Sequence, residues 1–162
     1  MIKTIALSIV VLLAALLIYA ATKPDSFRIE RTIAIKAPPE KLFALINDFH
    51  QWESWSPWEK IDPALKRTDS GAASGNGAVY ERNGNKDIGQ GRMEIVESSP
   101  SSKILLNLDF VTPFEAHNVV EFSLSADGDS TTVTPAMYGP SPYISKLMTI
   151  FFQHGKDSWR QV

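Results

Sequence analysis

The chain holds 162 residues, 44% hydrophobic and 21% charged, enough for one globular domain and too few for two of ordinary size. Sixteen basic against eighteen acidic residues leave a net charge of −2 with no basic run, so a nucleic-acid partner lacks its electrostatic footprint. Cysteine is absent, which excludes disulfide scaffolds, thiolate zinc sites and cysteine nucleophiles together.

The first element is apolar throughout. From Thr4 to Thr22 run nineteen residues without a charge, with Tyr19 near one end and Lys3 and Lys23 as brackets. About 20 apolar residues in a helix span a bilayer core of about 30 Å, so residues 4–22 are expected to form a transmembrane anchor. A cleavable signal peptide is the competing reading. It fits poorly, because cleavage after Ala21 or Ala20 would put Tyr19 or Ile18 where a small residue belongs. Lys3 and the amino terminus favour a cytoplasmic start, although Lys23, Arg28 and Arg31 weaken the bias. The expected localisation is a single-pass membrane protein, its soluble domain periplasmic or otherwise extracytoplasmic.

Residues 23–26 form a polar spacer. Strict alternation follows, with Phe27, Ile29, Ile33 and Ile35 on one face and Arg28, Glu30, Thr32 and Lys36 on the other, the pattern of a half-buried strand. Pro38-Pro39 stops it and opens a short amphipathic helix carrying Leu42, Phe43, Leu45, Ile46 and Phe49. A second short helix or turn holds Trp52 and Trp55 and breaks at Pro57. Six strands are then predicted near 65–70, 78–82, 89–97, 104–110, 115–125 and 131–138, with Asp127-Gly128-Asp129 as a hairpin turn. Ser141-Pro142 opens a last helix whose Ile144, Leu147, Met148, Phe151 and Phe152 recur at helical spacing up to Gly155. Helices segregated from an antiparallel meander argue an α+β fold.

This order, the segment from Ala37 to Phe49, and Trp52-Glu53-Ser54-Trp55-Ser56-Pro57-Trp58 resemble the START-like (SRPBCC) superfamily. The polyketide cyclase/dehydrase-like branch, some members of which carry an N-terminal membrane helix, is the most similar. Gly89-x-Gly91-Arg92-Met93 and Pro113-Phe114-Glu115-Ala116 add to the resemblance, which covers about residues 27–152. It implies a helix-grip fold over 27–154, a seven-stranded antiparallel sheet gripping the C-terminal helix over a hydrophobic cavity, with 155–162 as a short tail. Two departures stand out. Pro135 falls inside the last strand, where proline removes a ladder donor, and the C-terminal helix is short.

The resemblance implies a hydrophobic small molecule or lipid as partner. The residues expected to bind it are Trp55, Trp58, Tyr80, Met93, Phe110, Phe114, Asn118, Met137, Tyr138, Leu147 and Phe151. Of the three clustered tryptophans, at least two are expected to serve packing, with Trp55 and Trp58 the better pocket candidates. An enzymatic alternative, a cyclase or hydrolase, needs an acid–base group in the cavity, for which Glu94, Asp109 and His117 are the candidates. Alternation places His117 with Glu115 and Glu121, and Asn118 on the opposite face with Val120 and Phe122. A co-chaperone-like interaction role is a third reading. The three histidines, His50, His117 and His154, lack the spacing of a metal motif, and the Gly-x-Gly pairs lack the context of a nucleotide fingerprint, so neither metal nor cofactor is expected.

Overall fold

The structure, a computed structural model, describes residues 2–112, 115–143 and 145–146. The chain divides into two compact units, one made of residues 1–27 with 140–162 and the other of Arg28–Gly139. In the first, α1 runs unbroken from Ile2 to Ala21 and is long and apolar enough to cross a membrane. The Thr22 hydroxyl donates to the Tyr19 carbonyl at 2.7 Å, tying off a helix end whose carbonyls have no partner within the helix. Lys23 lies 4.4 Å from the centre of the Tyr19 ring. The Lys146 ammonium bonds the Asp25 carboxylate, which holds Asp25 below its usual range, and the Tyr143 hydroxyl donates to the Leu17 carbonyl at 2.7 Å. Tyr143, Ser145 and Lys146 are helical; the rest of the expected C-terminal helix lies outside the described residues.

The second unit is built on one antiparallel sheet. Its strands are β1 (Ser26–Glu30), β2 (Ile33–Ile35), β3 (Lys66–Gly71), β4 (Ala78–Asn83), β5 (Gln90–Ser99), β6 (Lys103–Thr112), β7 (Ala116–Asp127) and β8 (Ser130–Pro140). The order across the sheet is β1-β8-β7-β6-β5-β4-β3, with β2 also on β8. The six meandering strands stand where alternation predicts them. The eighth arises because the first predicted strand is two, interrupted at Arg31-Thr32.

That interruption explains Pro135. Ile33 pairs with Val133 on β8, and the Arg31 amide donates to the Pro135 carbonyl at 3.1 Å. In an antiparallel strand the N–H and C=O of one residue point to the same side. The donor that proline lacks would therefore face the break between β1 and β2, not β7, where Pro135 sits opposite Phe122. No β7–β8 bond is lost.

One face of the sheet carries the core. Ile95, Ile104 and Leu106 are fully buried there, and α2 (Pro39–Asn47) packs Leu42 and Ile46 onto them. Alternation makes this face: along β6, Ile104, Leu106 and Leu108 are buried while Leu105, Asn107 and Asp109 turn away. The Thr131 hydroxyl, completely buried, donates to the Ala37 carbonyl at 2.7 Å and ties β8 to the approach to α2. The β7–β8 hairpin closes on Gly128-Asp129 between the paired Asp127 and Ser130. Gly128 has φ 62°, the positive value a type II′ turn needs at its first central residue. At one edge of the sheet β3 exposes all six of its residues, Lys66, Arg67 and Asp69 among them.

Candidate functional site

α2 ends at Asn47, and the chain turns through a 3-10 segment (Phe49–Gln51), α3 (Trp52–Trp55) and a second 3-10 segment (Pro57–Lys60). Two tryptophans hold this turn. The Trp52 indole N–H donates to the Ile46 carbonyl at 3.0 Å, and the Trp55 indole N–H to Leu45 at 3.1 Å. These are last-turn carbonyls of α2, which no longer find amide donors within the helix. Trp52 is buried, edge-on to Phe49 at 5.2 Å and to Phe122 at 6.3 Å. Trp55 and Trp58 keep 36% and 48% of their surface exposed.

Between this segment and the inner face of the sheet lies a cavity of about 480 Å³, within the usual range for small-molecule sites. Trp52, Trp55, Trp58 and Pro57 form one wall. Met93 on β5, Leu106, Leu108 and Phe110 on β6, Val120 and Phe122 on β7, and Pro135 and Met137 on β8 form the other. The polar lining is sparse: Ser56, Glu59, Arg82 and Asp87.

The residues singled out in the sequence distribute as follows. Trp55, Trp58, Met93, Phe110 and Met137 line the cavity. Tyr80 is buried beside it without lining it, and its hydroxyl donates to Glu59 Oε1 at 2.7 Å. Burial, then that bond to Glu59, pushes the Tyr80 phenol up, so it stays protonated. Asn118 is buried on the inner face yet outside the described lining. Tyr138 is a correction. Its strand neighbour Met137 points inward, so Tyr138 points outward, where the Arg28 guanidinium lies 5.1 Å from its ring centre. Phe114, Leu147 and Phe151 lie outside the described residues.

Glu94, Asp109 and His117 are a second correction, because alternation carries all three to the outer face. Glu94 pairs with Arg92 at 2.8 Å. His117 Nδ1 lies 2.7 Å from Asp109 Oδ1 and Nε2 lies 3.5 Å from Glu115, and the Asp109 hydrogen bond raises the imidazole's pKa. Asp109, Glu115 and His117 edge a polar hollow of about 600 Å³ that shares Arg82 and Phe110 with the apolar cavity. None of the three reaches the cavity's lining.

Glu59 and Arg82 are among the cavity residues that escaped the sequence reading. Glu59 is buried and binds Arg67 Nε at 2.8 Å through Oε2, while Arg67 Nη1 reaches Glu53 at 3.2 Å. It sits in a four-residue 3-10 segment too short to show a period. Arg82 lines both the apolar cavity and the polar hollow. A signal for it existed, since it stands two residues beyond inward-facing Tyr80. Among the described residues no group of three His, Cys, Asp or Glu is placed to hold a metal ion.

Residues 26–148 match the family model described as polyketide cyclase / dehydrase and lipid transport. No curated protein sequence matches the chain. Solved structures share its fold at low identity. Ara h 8.0201 is 15% identical, with a TM-score of 0.56 over 80% of this chain and 91% of its own. MLL2253 from Mesorhizobium loti is 20% identical, with a TM-score of 0.54 over 80% and 87%. Ms6760 from Mycobacterium smegmatis is 14% identical, with a TM-score of 0.54 over 82% and 83%.

Proposed function

Because the chain belongs to the polyketide cyclase / dehydrase and lipid transport family, we propose that it binds a hydrophobic small molecule or lipid in the cavity beneath Trp55 and Trp58, and that α1 keeps it at a membrane. The observation that carries the reading is the cavity itself, about 480 Å³ of largely apolar and aromatic wall with few polar groups. Rigid rings and flexible Met93 and Met137 make a surface that grips an apolar body without demanding one shape. Binding is the role the wall supports best.

The test uses the full-length protein in nanodiscs of zwitterionic lipid. Titration with the neutral fluorescent probe N-phenyl-1-naphthylamine should give saturable enhancement above empty discs. Val120→Phe, which places an aromatic ring in the cavity, should weaken it at least tenfold. Equal enhancement in protein-loaded and empty discs would overturn the reading. For the anchor, the chain should stay in the membrane pellet through a carbonate wash; its release would overturn that part.

A second reading, acid–base catalysis, keeps one observation in its favour. The buried pair Glu59 and Tyr80 places a carboxylate and a phenol 2.7 Å apart, with Glu59 in the cavity wall. Catalysis in this cavity would fall to Glu59, and no longer to Glu94, Asp109 or His117. A substrate turned over by wild type and equally by Glu59→Gln would remove it.

A further inference from the structure

Arg82 is a half-buried cation with no carboxylate at ion-pair distance. It follows Ala78 and Tyr80 on the inner face of β4, and its Nε is buried without a hydrogen-bond acceptor. Among the described arginines, Arg28, Arg67 and Arg92 each have a carboxylate within ion-pair distance, and exposed Arg31 bonds a backbone carbonyl. Arg82 has neither. Burial lowers its pKa, yet an arginine does not deprotonate in a protein, so the charge stays, and Glu59 nearby offsets only part of its lost hydration. Its cross-strand partner on β3 is Arg67, a like charge directly opposite, which adds to the cost. Glu59, the nearby carboxylate, is held by Arg67 and Tyr80.

The space beside the guanidinium is also kept. Its partner on β5 is Gly91, where a Cβ would stand 3.4 Å from Arg82 Nε, 3.7 Å from Nη2 and 2.8 Å from the Asp109 carbonyl. The guanidinium carbon lies 5.5 Å from the Phe110 ring centre, an arrangement that occupies a face of the fork and leaves donors on its edge. Arg82 and Phe110 together form the wall shared by the apolar cavity and the polar hollow. A molecule with its tail in the first would present its head to Arg82 at the border with the second.

Building on the hydrophobic-ligand reading, we propose that the ligand is an amphiphilic carboxylate and that Arg82 is the residue that binds its carboxylate head. One cation calls for a monoanion, and a dianionic phosphate would meet repulsion from Glu59. The planar fork suits the two oxygens of a carboxylate.

The test again uses full-length protein in zwitterionic nanodiscs, with dodecanoate and dodecanol competing against N-phenyl-1-naphthylamine and empty discs as the partition control. Dodecanoate should compete about tenfold or more better than dodecanol, as a charge-assisted hydrogen-bonded pair commonly gives. Arg82→Gln should abolish that preference, its fold checked by the unfolding midpoint. Arg82→Lys should fall between. Should Arg82→Gln not fold, wild type still decides, since added NaCl should weaken dodecanoate and spare dodecanol. Equal competition by the two in wild type overturns the carboxylate proposal and leaves the hydrophobic-ligand reading standing. So does tighter binding of dodecyl phosphate than of dodecanoate. Failure of the neutral probe itself to bind removes that reading and this proposal with it.

Discussion

Trp52 and Trp55 make the same kind of bond at the end of α2, but in different surroundings, and the difference is measurable. Trp52→Phe leaves the Ile46 carbonyl unpaired in a buried setting and should cost about 1–3 kcal/mol in urea unfolding. Trp55→Phe, at a partly exposed position where water replaces the indole, should cost under about 1 kcal/mol; equal losses would refute the distinction. His117 gives a pH prediction. Its pKa is raised by the hydrogen bond it donates to Asp109, so its contribution to stability is complete below the ordinary histidine value of 6.5 and is lost as pH rises through the folded value. His50, paired with Asp48 at 2.7 Å, behaves alike. Histidine ring-proton NMR should place His117 above 6.5 and move it back toward that value in Asp109→Asn. An unmoved titration would show that the pair does not form.

At the scale of elements, β8 offers the sharpest test. Pro135 faces the break between β1 and β2, so Pro135→Ala should change stability by no more than about 1 kcal/mol. Val133 has the same parity and faces Ile33 in β2, so Val133→Pro removes a ladder donor and should cost about 3 kcal/mol or more. Comparable unfolding midpoints for the two would refute the parity argument. The strands were legible because alternation is a two-residue period, and one buried face imposes it; β6 shows it from Lys103 to Leu108. The Arg31-Thr32 break was not legible, because alternation continues across it and only the partner's proline explains it. The same period separated His117 from Asn118 correctly. It also parts Met137 from Tyr138, both expected to bind the ligand, since adjacent strand residues cannot share a face. Glu59 was out of reach for another reason: its burial depends on Tyr80 and Arg67, distant in sequence, which meet it only when the sheet forms.

For the molecule as a whole, the cysteine-free sequence provides the means to test orientation. Ser125 is exposed near the end of β7, so Ser125→Cys creates a single accessible thiol. With the amino terminus in the cytoplasm, an impermeant maleimide should label it in intact spheroplasts; labelling only after lysis would reverse the orientation. Anchoring through α1, as proposed, bears on the β3 edge. Copies tethered to one surface would meet in two dimensions, at encounter rates a freely diffusing protein escapes, and an open strand edge is where neighbouring sheets fuse into aggregates. β3 carries exposed Lys66, Arg67 and Asp69 along that edge. A second sheet docking there would have to dehydrate a row of charges, so this edge resists polymerisation where crowding makes it most dangerous.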